Sequence, residues 1–193
     1  MQRIGIFGGS FNPIHLGHLA VARKVIEQGL VDEVWLMVSP QNPLKQAATD
    51  LIPEQHRLAL ARQAVEDCPS IIASDFEMQL PLPSYTWRTM EALRKRYPNY
   101  AFSLIIGADN WVNFSRWAHH EALLAKYPLL VYPREGYPIA SETLPSSVHI
   151  IDAPLFPFSS TSIRNLLADG KDVEKMIPAC IIDAAQRLYA ASL

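Results

Sequence analysis

Apolar runs and amphipathic stretches alternate along this chain. Ile4-Gly5-Ile6-Phe7 is a short apolar run near the start. Leu19, Ala22, Ile26 and Leu30 then recur at helical spacing, and Gly29 marks the end of that helix. Val34 to Val38 reads as a buried strand, and Ser39 to Pro53, with Pro40, Pro43 and Pro53, as a long loop after it. Glu54 onward is helical, with Leu58, Ala61 and Val65 on one face. Ile71-Ile72-Ala73 reads as a short strand. Pro81-Leu82-Pro83 is a stop signal, and Ser84 is placed to cap a helix whose apolar face carries Trp87, Met90, Leu93 and Tyr97. Further strands are expected at Ala101–Ile106, Leu129–Tyr132 and Val148–Ile151, and a short helix at Glu121–Ala125. A polar-aromatic segment, Asn110 to Trp117, follows the first of these strands, and Arg134 to Pro138 reads as a turn. A helix opening near Ser159 closes at Gly170. Pro178 suits the first turn of the last helix, whose core face carries Ile181, Ala185 and Leu188.

Strands alternating with helices predict a single α/β domain over residues 1–193. The fold expected is Rossmann-like: a mostly parallel sheet covered by helices on both faces. The helical part from about 159 to 193 is expected to pack on it. In such a sheet ligands bind beyond the carboxyl ends of the strands. Gly8 to His18, the Ser39 loop and Gly107-Ala108-Asp109 all fall at that end, and the serine-rich helix start at Ser159 can face the same crevice.

Composition narrows the function classes. With 193 residues, 49% of them hydrophobic, the chain can bury a substantial core. The formal net charge is −2 and no run of lysine or arginine forms a nucleic-acid footprint, so neither a nucleic acid nor another broad polyanion is an expected partner. No apolar segment is long enough to span a bilayer, and the opening residues lack signal-peptide architecture. Two cysteines, Cys68 and Cys180, lack metal or redox spacing. A cytoplasmic location is expected; association into a homo-oligomer is compatible with this composition.

The chemistry centres on Gly8-Gly9-Ser10-Phe11-Asn12-Pro13-Ile14-His15-Leu16-Gly17-His18. A strand, a glycine turn and a helix start meet here, where free backbone N–H groups and the helix dipole favour a phosphate. His15 and His18, three apart, fall on nearly one side of a first helical turn and can donate to phosphate oxygens. Capping or packing is the plainer role for either ring, and two metal ligands are another, though no HExxH accompanies them. Neither G-x-G-x-x-G nor the P-loop occurs. A second anion site is plausible chemistry at Ser159-Ser160-Thr161-Ser162-Ile163-Arg164: hydroxyls at a helix start beside a permanent charge, or simply a capped helix with a solvated arginine.

His15-Leu16-Gly17-His18 resembles the H-x-G-H signature of the nucleotidylyltransferase superfamily. Phe158 to Arg164 resembles its I-S-S-T-x-I-R, changed only at the first apolar position. Within the superfamily the chain is similar to the nicotinate mononucleotide adenylyltransferase family over nearly its whole length. Ser84-Tyr85-Thr86 looks like that family's S-Y-T, Gly107-Ala108-Asp109 like its G-x-D, Phe114 and Trp117 like its F-x-x-W, and Arg134 to Tyr137 like its R-x-G-Y. Two departures stand out. The family loop often ends P-P-H-K, whereas here Pro43-Leu44-Lys45 keeps only the lysine. Asn12 stands where the superfamily frequently has aspartate, which argues against an essential base or metal ligand there.

The resemblance implies transfer of AMP from ATP to nicotinate mononucleotide, giving nicotinate adenine dinucleotide and pyrophosphate, a step of NAD biosynthesis. It implies His15, His18 and Arg164 as the catalytic set. On the ATP side it implies Gly8, Gly9, Ser10, Phe11, His15, His18, Lys45, Gly107, Asp109, Ser159, Ser160, Thr161 and Arg164. On the mononucleotide side it implies Asn42, Lys45, Ser84, Tyr85, Thr86, Trp117 and Arg134. No protein metal site is implied; Mg²⁺ would arrive with ATP, in keeping with its retained waters. The competing readings are a sibling transferase using nicotinamide mononucleotide or pantetheine phosphate, and a non-catalytic nucleotide-binding module. An aminoacyl-tRNA synthetase relative, which also has H-x-G-H, is disfavoured because no K-M-S-K-S segment or basic RNA surface accompanies the motif.

Overall fold

The computed structural model describes residues 1–41 and 51–190. Its strands are β1 (Gln2–Gly9), β2 (Glu33–Val38), β3 (Ile71–Ser74), β4 (Tyr100–Gly107), β5 (Leu129–Tyr132) and β6 (Val148–Ile150). They form one sheet in the order β3-β2-β1-β4-β5-β6, and every neighbouring pair is parallel. The expected mostly parallel sheet is thus wholly parallel among these strands. The helices are α1 (Leu16–Glu27), α2 (Glu54–Ala64), α3 (Thr86–Arg96), α4 (Ala108–Val112), α5 (His120–Lys126), α6 (Ser160–Ala168) and α7 (Ile182–Ala190). None is long and apolar enough to cross a membrane among the described residues.

Alternation along the strands divides the core into two layers. Phe7, Leu36, Ile105 and Leu130 face a layer completed by residues of α1, α2, α6 and α7, including Leu19, Leu58, Ile163 and Ala185. Ile4, Ile6, Leu104, Ile106 and Val131 face the other layer, completed by Met90 and Leu93 of α3 and Leu123 of α5. The strand order reverses between β1 and β4, and that switch point opens a crevice beyond their carboxyl ends.

Several local expectations change. Gly8 and Gly9 do not turn the chain; they are the last two residues of β1, in register with Met37 and Val38. The turn comes after them, where Phe11 adopts φ +46°, left-handed backbone that is costly for a bulky side chain. Its ring is buried edge-on against Phe7 and His18, which holds the conformation. Ser84 does not cap α3: the N-cap is Tyr85, with no side-chain hydrogen bond, and Tyr85 N–H turns back to Pro83 O at 2.9 Å. The segment after β4 is helical, as α4 and a 3-10 turn at Phe114–Arg116. In α7 the fully packed face is Ala185 and Tyr189, with Leu188 only partly buried.

Candidate active site

The two motif histidines do not share a helical turn. His15 is the N-cap of α1, in extended backbone, and His18 is the third helical residue. Each ring caps the other's backbone. His18 N–H donates to His15 Nδ1 at 3.3 Å, and His15 N–H donates to His18 Nδ1 at 3.2 Å. This is the reciprocal geometry of a capping box, built here from imidazoles. The rings stack with centroids 3.6 Å apart. Gly17 permits that approach, since a Cβ there would stand 3.0 Å from His15 Nδ1. With Nδ1 accepting, the proton of each neutral ring lies on Nε2. Both rings line a cavity of about 330 Å³ with Phe7, Tyr132, Arg134, Phe156 and Ser159.

Burial, and second the positive charge of Arg134, lower the His15 imidazole to about 3. It is therefore a neutral donor at physiological pH. The folded pKa lies below the unfolded one, so the stabilisation is present above about pH 6.5 and is lost as pH falls toward 3. Urea unfolding at pH 7, 6, 5 and 4 is expected to show wild type losing stability relative to His15→Gln. The difference should approach about 1.4 kcal/mol per pH unit, the slope of one proton. Parallel pH profiles for the two proteins would contradict a neutral, buried His15.

The second motif is tied to the first. Ser159 caps α6 in a capping box with Ser162. Ser160 Oγ donates to Pro13 O at 3.0 Å, and Arg164 Nη1 donates to Asn12 O at 2.7 Å. Thr161 Oγ1 stands 3.4 Å from Arg164 Nη2. The Asn12 side chain is also engaged: its Oδ1 accepts the Tyr189 hydroxyl at 2.8 Å. A carboxamide oxygen suits that anchoring task.

Asp109 and Arg134 meet at the ends of β4 and β5, with Arg134 Nε 3.4 Å from Asp109 Oδ1 and Nη2 donating to the Tyr132 hydroxyl at 3.3 Å. Gly107 leaves room here, because a Cβ would press on the Asp109 carboxylate and the Tyr132 ring. The resemblance groups Arg134 with the mononucleotide side. The turn after β5 brings it over Asp109, and it lines the cavity of the two histidines.

Ser84, Tyr85 and Thr86 lie at the start of α3, and Ser84 N–H donates to Gln41 O at 3.1 Å. Four buried side-chain polar atoms have no hydrogen-bond partner among the described residues: Ser84 Oγ, Asp109 Oδ1, Trp117 Nε1 and Tyr127 OH. Asp109 Oδ1 is still ion-paired with Arg134; the other three are of the kind that is rare in folded proteins and marks places where a ligand or water completes the bonding. Three of the four belong to residues singled out by sequence. The fourth, Tyr127 OH, borders a smaller cavity of about 220 Å³ lined also by Trp87, Glu91 and His119. Asn42 and Lys45 lie outside the described residues.

Sequence reasoning missed the aromatic wall at Phe156 and Phe158, the Tyr189 anchor, and a buried arginine, Arg57. Arg57 carried a signal: it occupies the inward stripe of α2 with Leu60, Ala61 and Ala64, all buried.

The family model for cytidylyltransferase-like proteins matches residues 6–166. A protein of Bacteroides fragilis (strain YCH46) named "Probable nicotinate-nucleotide adenylyltransferase" is 50% identical over 171 residues, covering 89% of this chain and 85% of its own. One of the same name from Porphyromonas gingivalis (strain ATCC 33277) is 44% identical over 190 residues, covering 98% and 94%. Among solved structures, nicotinic acid mononucleotide adenylyltransferase of Plasmodium falciparum, complexed with NaAD, superposes with TM-score 0.80 at 22% identity, covering 98% of each chain, and so shares the fold. The chain belongs to the cytidylyltransferase-like family and, within it, to the nicotinate-nucleotide adenylyltransferases.

Proposed function

We propose that the chain transfers the adenylyl group of ATP to nicotinate mononucleotide, releasing pyrophosphate. The observation that carries this is the pair of mutually capped imidazoles. Their Nδ1 atoms are occupied by backbone N–H groups, so both rings offer Nε2–H donors beside one cavity. The identity of the relatives supports the acceptor.

The mononucleotide phosphate oxygen attacks the α-phosphorus of ATP, a new P–O bond forms, and the bond to the β-phosphate breaks with its electron pair leaving on pyrophosphate. The attacking oxygen is already anionic at neutral pH, so no side chain has to remove a proton. Catalysis is then positioning plus charge stabilisation. His18 supports the α-phosphate, neutral His15 holds neighbouring oxygens, and Arg164 together with Lys45 balances charge on the leaving pyrophosphate. Asp109 holds the adenosine side, and Arg134 beside it faces the mononucleotide. Mg²⁺ would arrive with the ATP phosphates, where it would offset their charge while keeping several of its waters. Both cysteines are free thiols, which supports a cytoplasmic, reducing location.

Trp117 stacks on the pyridine ring in this reading, and the Tyr85-Thr86 helix start receives the carboxylate. Trp117→Ala is expected to raise KM for nicotinate mononucleotide by about ten- to a hundredfold, the range of an aromatic–base stack. KM for ATP should stay within about threefold, since Trp117 touches only the acceptor. Equal effects on both would remove Trp117 from the acceptor site. The test of the whole reading is pyrophosphate release with ATP and a panel of mononucleotides. Preferred turnover of nicotinate mononucleotide is expected. Equal or better turnover of the nicotinamide form would overturn the acid specificity, and nucleotide binding without pyrophosphate release would overturn the transferase.

A further inference from the structure

Arg57 has no part in the chemistry just described, yet among the described residues it is the most buried charge, with no exposed surface. It stands in the first turns of α2. No carboxylate pairs with it among the described residues. Its guanidinium is held by main-chain carbonyls: Nε donates to Ile52 O at 2.9 Å, Nη1 to Ser39 O at 2.8 Å and to Ser10 O, and Nη2 to Pro40 O at 3.3 Å. Ser10 opens the loop after β1. Ser39 and Pro40 open the loop after β2. One side chain thus binds the two loops that leave neighbouring strands at the switch point.

Other bonds extend the link in both directions. Ser39 N–H donates to Gly9 O at 2.9 Å, which sets the two strand ends side by side. Gln41 O accepts Ser84 N–H, so the loop after β2 also touches the segment that leads into α3. Ser39 further presents its hydroxyl to the buried Glu77 carboxyl, which accepts Thr89 Oγ1 of α3 at 2.7 Å. The contacts therefore run without a break from the loop after β1, through Arg57 and Ser39, to the helix that begins at Thr86.

The residue type fits this task. A planar guanidinium offers five donors in a fixed fork and can hold carbonyls lying in different directions at once. An ammonium is a compact charge on a flexible stem and cannot hold the same set in one geometry. A buried charge is tolerated only where it is hydrogen-bonded, and an apolar side chain of similar size would fill the space without fixing either loop.

We propose that Arg57 is a positioning residue, which locks the loops after β1 and β2 in one register so that the phosphate-binding and acceptor-binding segments act together. The kinetic part of this proposal rests on the transferase reading above. Arg57→Lys keeps charge and bulk and is expected to fold. Its kcat should fall by about 10²-fold, the scale of a misplacement of roughly 1 Å. KM for each substrate should move far less, because no contact to substrate is removed. Arg57→Met should lower kcat at least as much. Wild-type kcat in both variants, measured below their melting temperatures, would show a merely structural arginine and overturn the proposal.

Hydrogen exchange supplies a second readout that needs no substrate. In Arg57→Lys, peptides covering residues 8–13 and 36–41 are expected to lose protection while those covering β5 and β6 keep theirs. Unchanged or uniformly changed exchange would overturn the proposal. This measurement decides on Arg57 by itself, so a wild-type chain that released no pyrophosphate would count against the transferase reading alone.

Discussion

His18→Ala is expected to lower kcat by about 10²- to 10³-fold, the usual cost of removing one preorganised donor from a transition state. KM for both substrates should change little, because the donor is aimed at charge that builds during transfer. The substitution also has a structural cost. His18 Nδ1 accepts His15 N–H at the start of α1, and losing such a cap destabilises by about 0.5–2 kcal/mol. The two effects separate in His18→Asn. The asparagine oxygen can take over the cap in place of Nδ1, but the side chain has no donor where Nε2 stood. His18→Asn is therefore expected to recover the melting temperature of wild type while its kcat stays as low as that of the alanine variant. Recovery of kcat along with stability would mean that His18 serves the helix and not the phosphate. Steady-state pyrophosphate release and thermal denaturation on the three proteins check both arms.

The double role of His18 also shows where sequence reading reaches its end. The alternation of apolar runs and helical stripes placed the strands and most helices, because a parallel sheet covered on both faces needs buried runs such as Val34 to Val38 and amphipathic stretches such as that of α1. It did not reveal how the histidines are held. Imidazoles are not among the usual N-cap side chains, so a reciprocal His15–His18 cap has no sequence signature of its own. Helix α4 escaped for another reason. At five residues it is too short to form by propensity, and it persists through packing such as that of Trp111 on Phe114, 5.7 Å between ring centroids. Arg57 and Tyr189 act on main chain and side chain far away in sequence, at Ser10 and Asn12. Only the folded topology brings such partners together. The glycines show the same limit: Gly8-Gly9 resembled a turn but ends a strand, whereas Gly17 and Gly107 give room for His15 and Asp109.

Arg164→Ala is the second variant with a large expected effect. Arg164 is the point where the two motifs meet, since its Nη1 holds Asn12 O in the loop after β1. In the proposed reaction its charge also faces the pyrophosphate as the bond to the α-phosphorus breaks. Removing a charge-assisted donor of this kind is expected to cost about 10²- to 10³-fold in kcat. Arg164→Lys keeps the charge but loses the fork, so a single ammonium has to serve either the carbonyl or the phosphate. An intermediate loss, roughly ten- to a hundredfold, is expected there. The reverse reaction tells which task dominates. With nicotinate adenine dinucleotide and pyrophosphate as substrates, a charge that grips pyrophosphate makes its KM rise in both variants, and more in alanine than in lysine. A brace that only fixes the loop lowers kcat in both directions and leaves that KM unchanged. Ser160→Ala is the matched control, because it removes another bond between α6 and the same loop, to Pro13 O, without touching any charge. If Ser160→Ala reproduced the loss seen in Arg164→Ala, the arginine would be a brace. If only the arginine variants raised KM for pyrophosphate, the second motif would be the leaving-group side of the site.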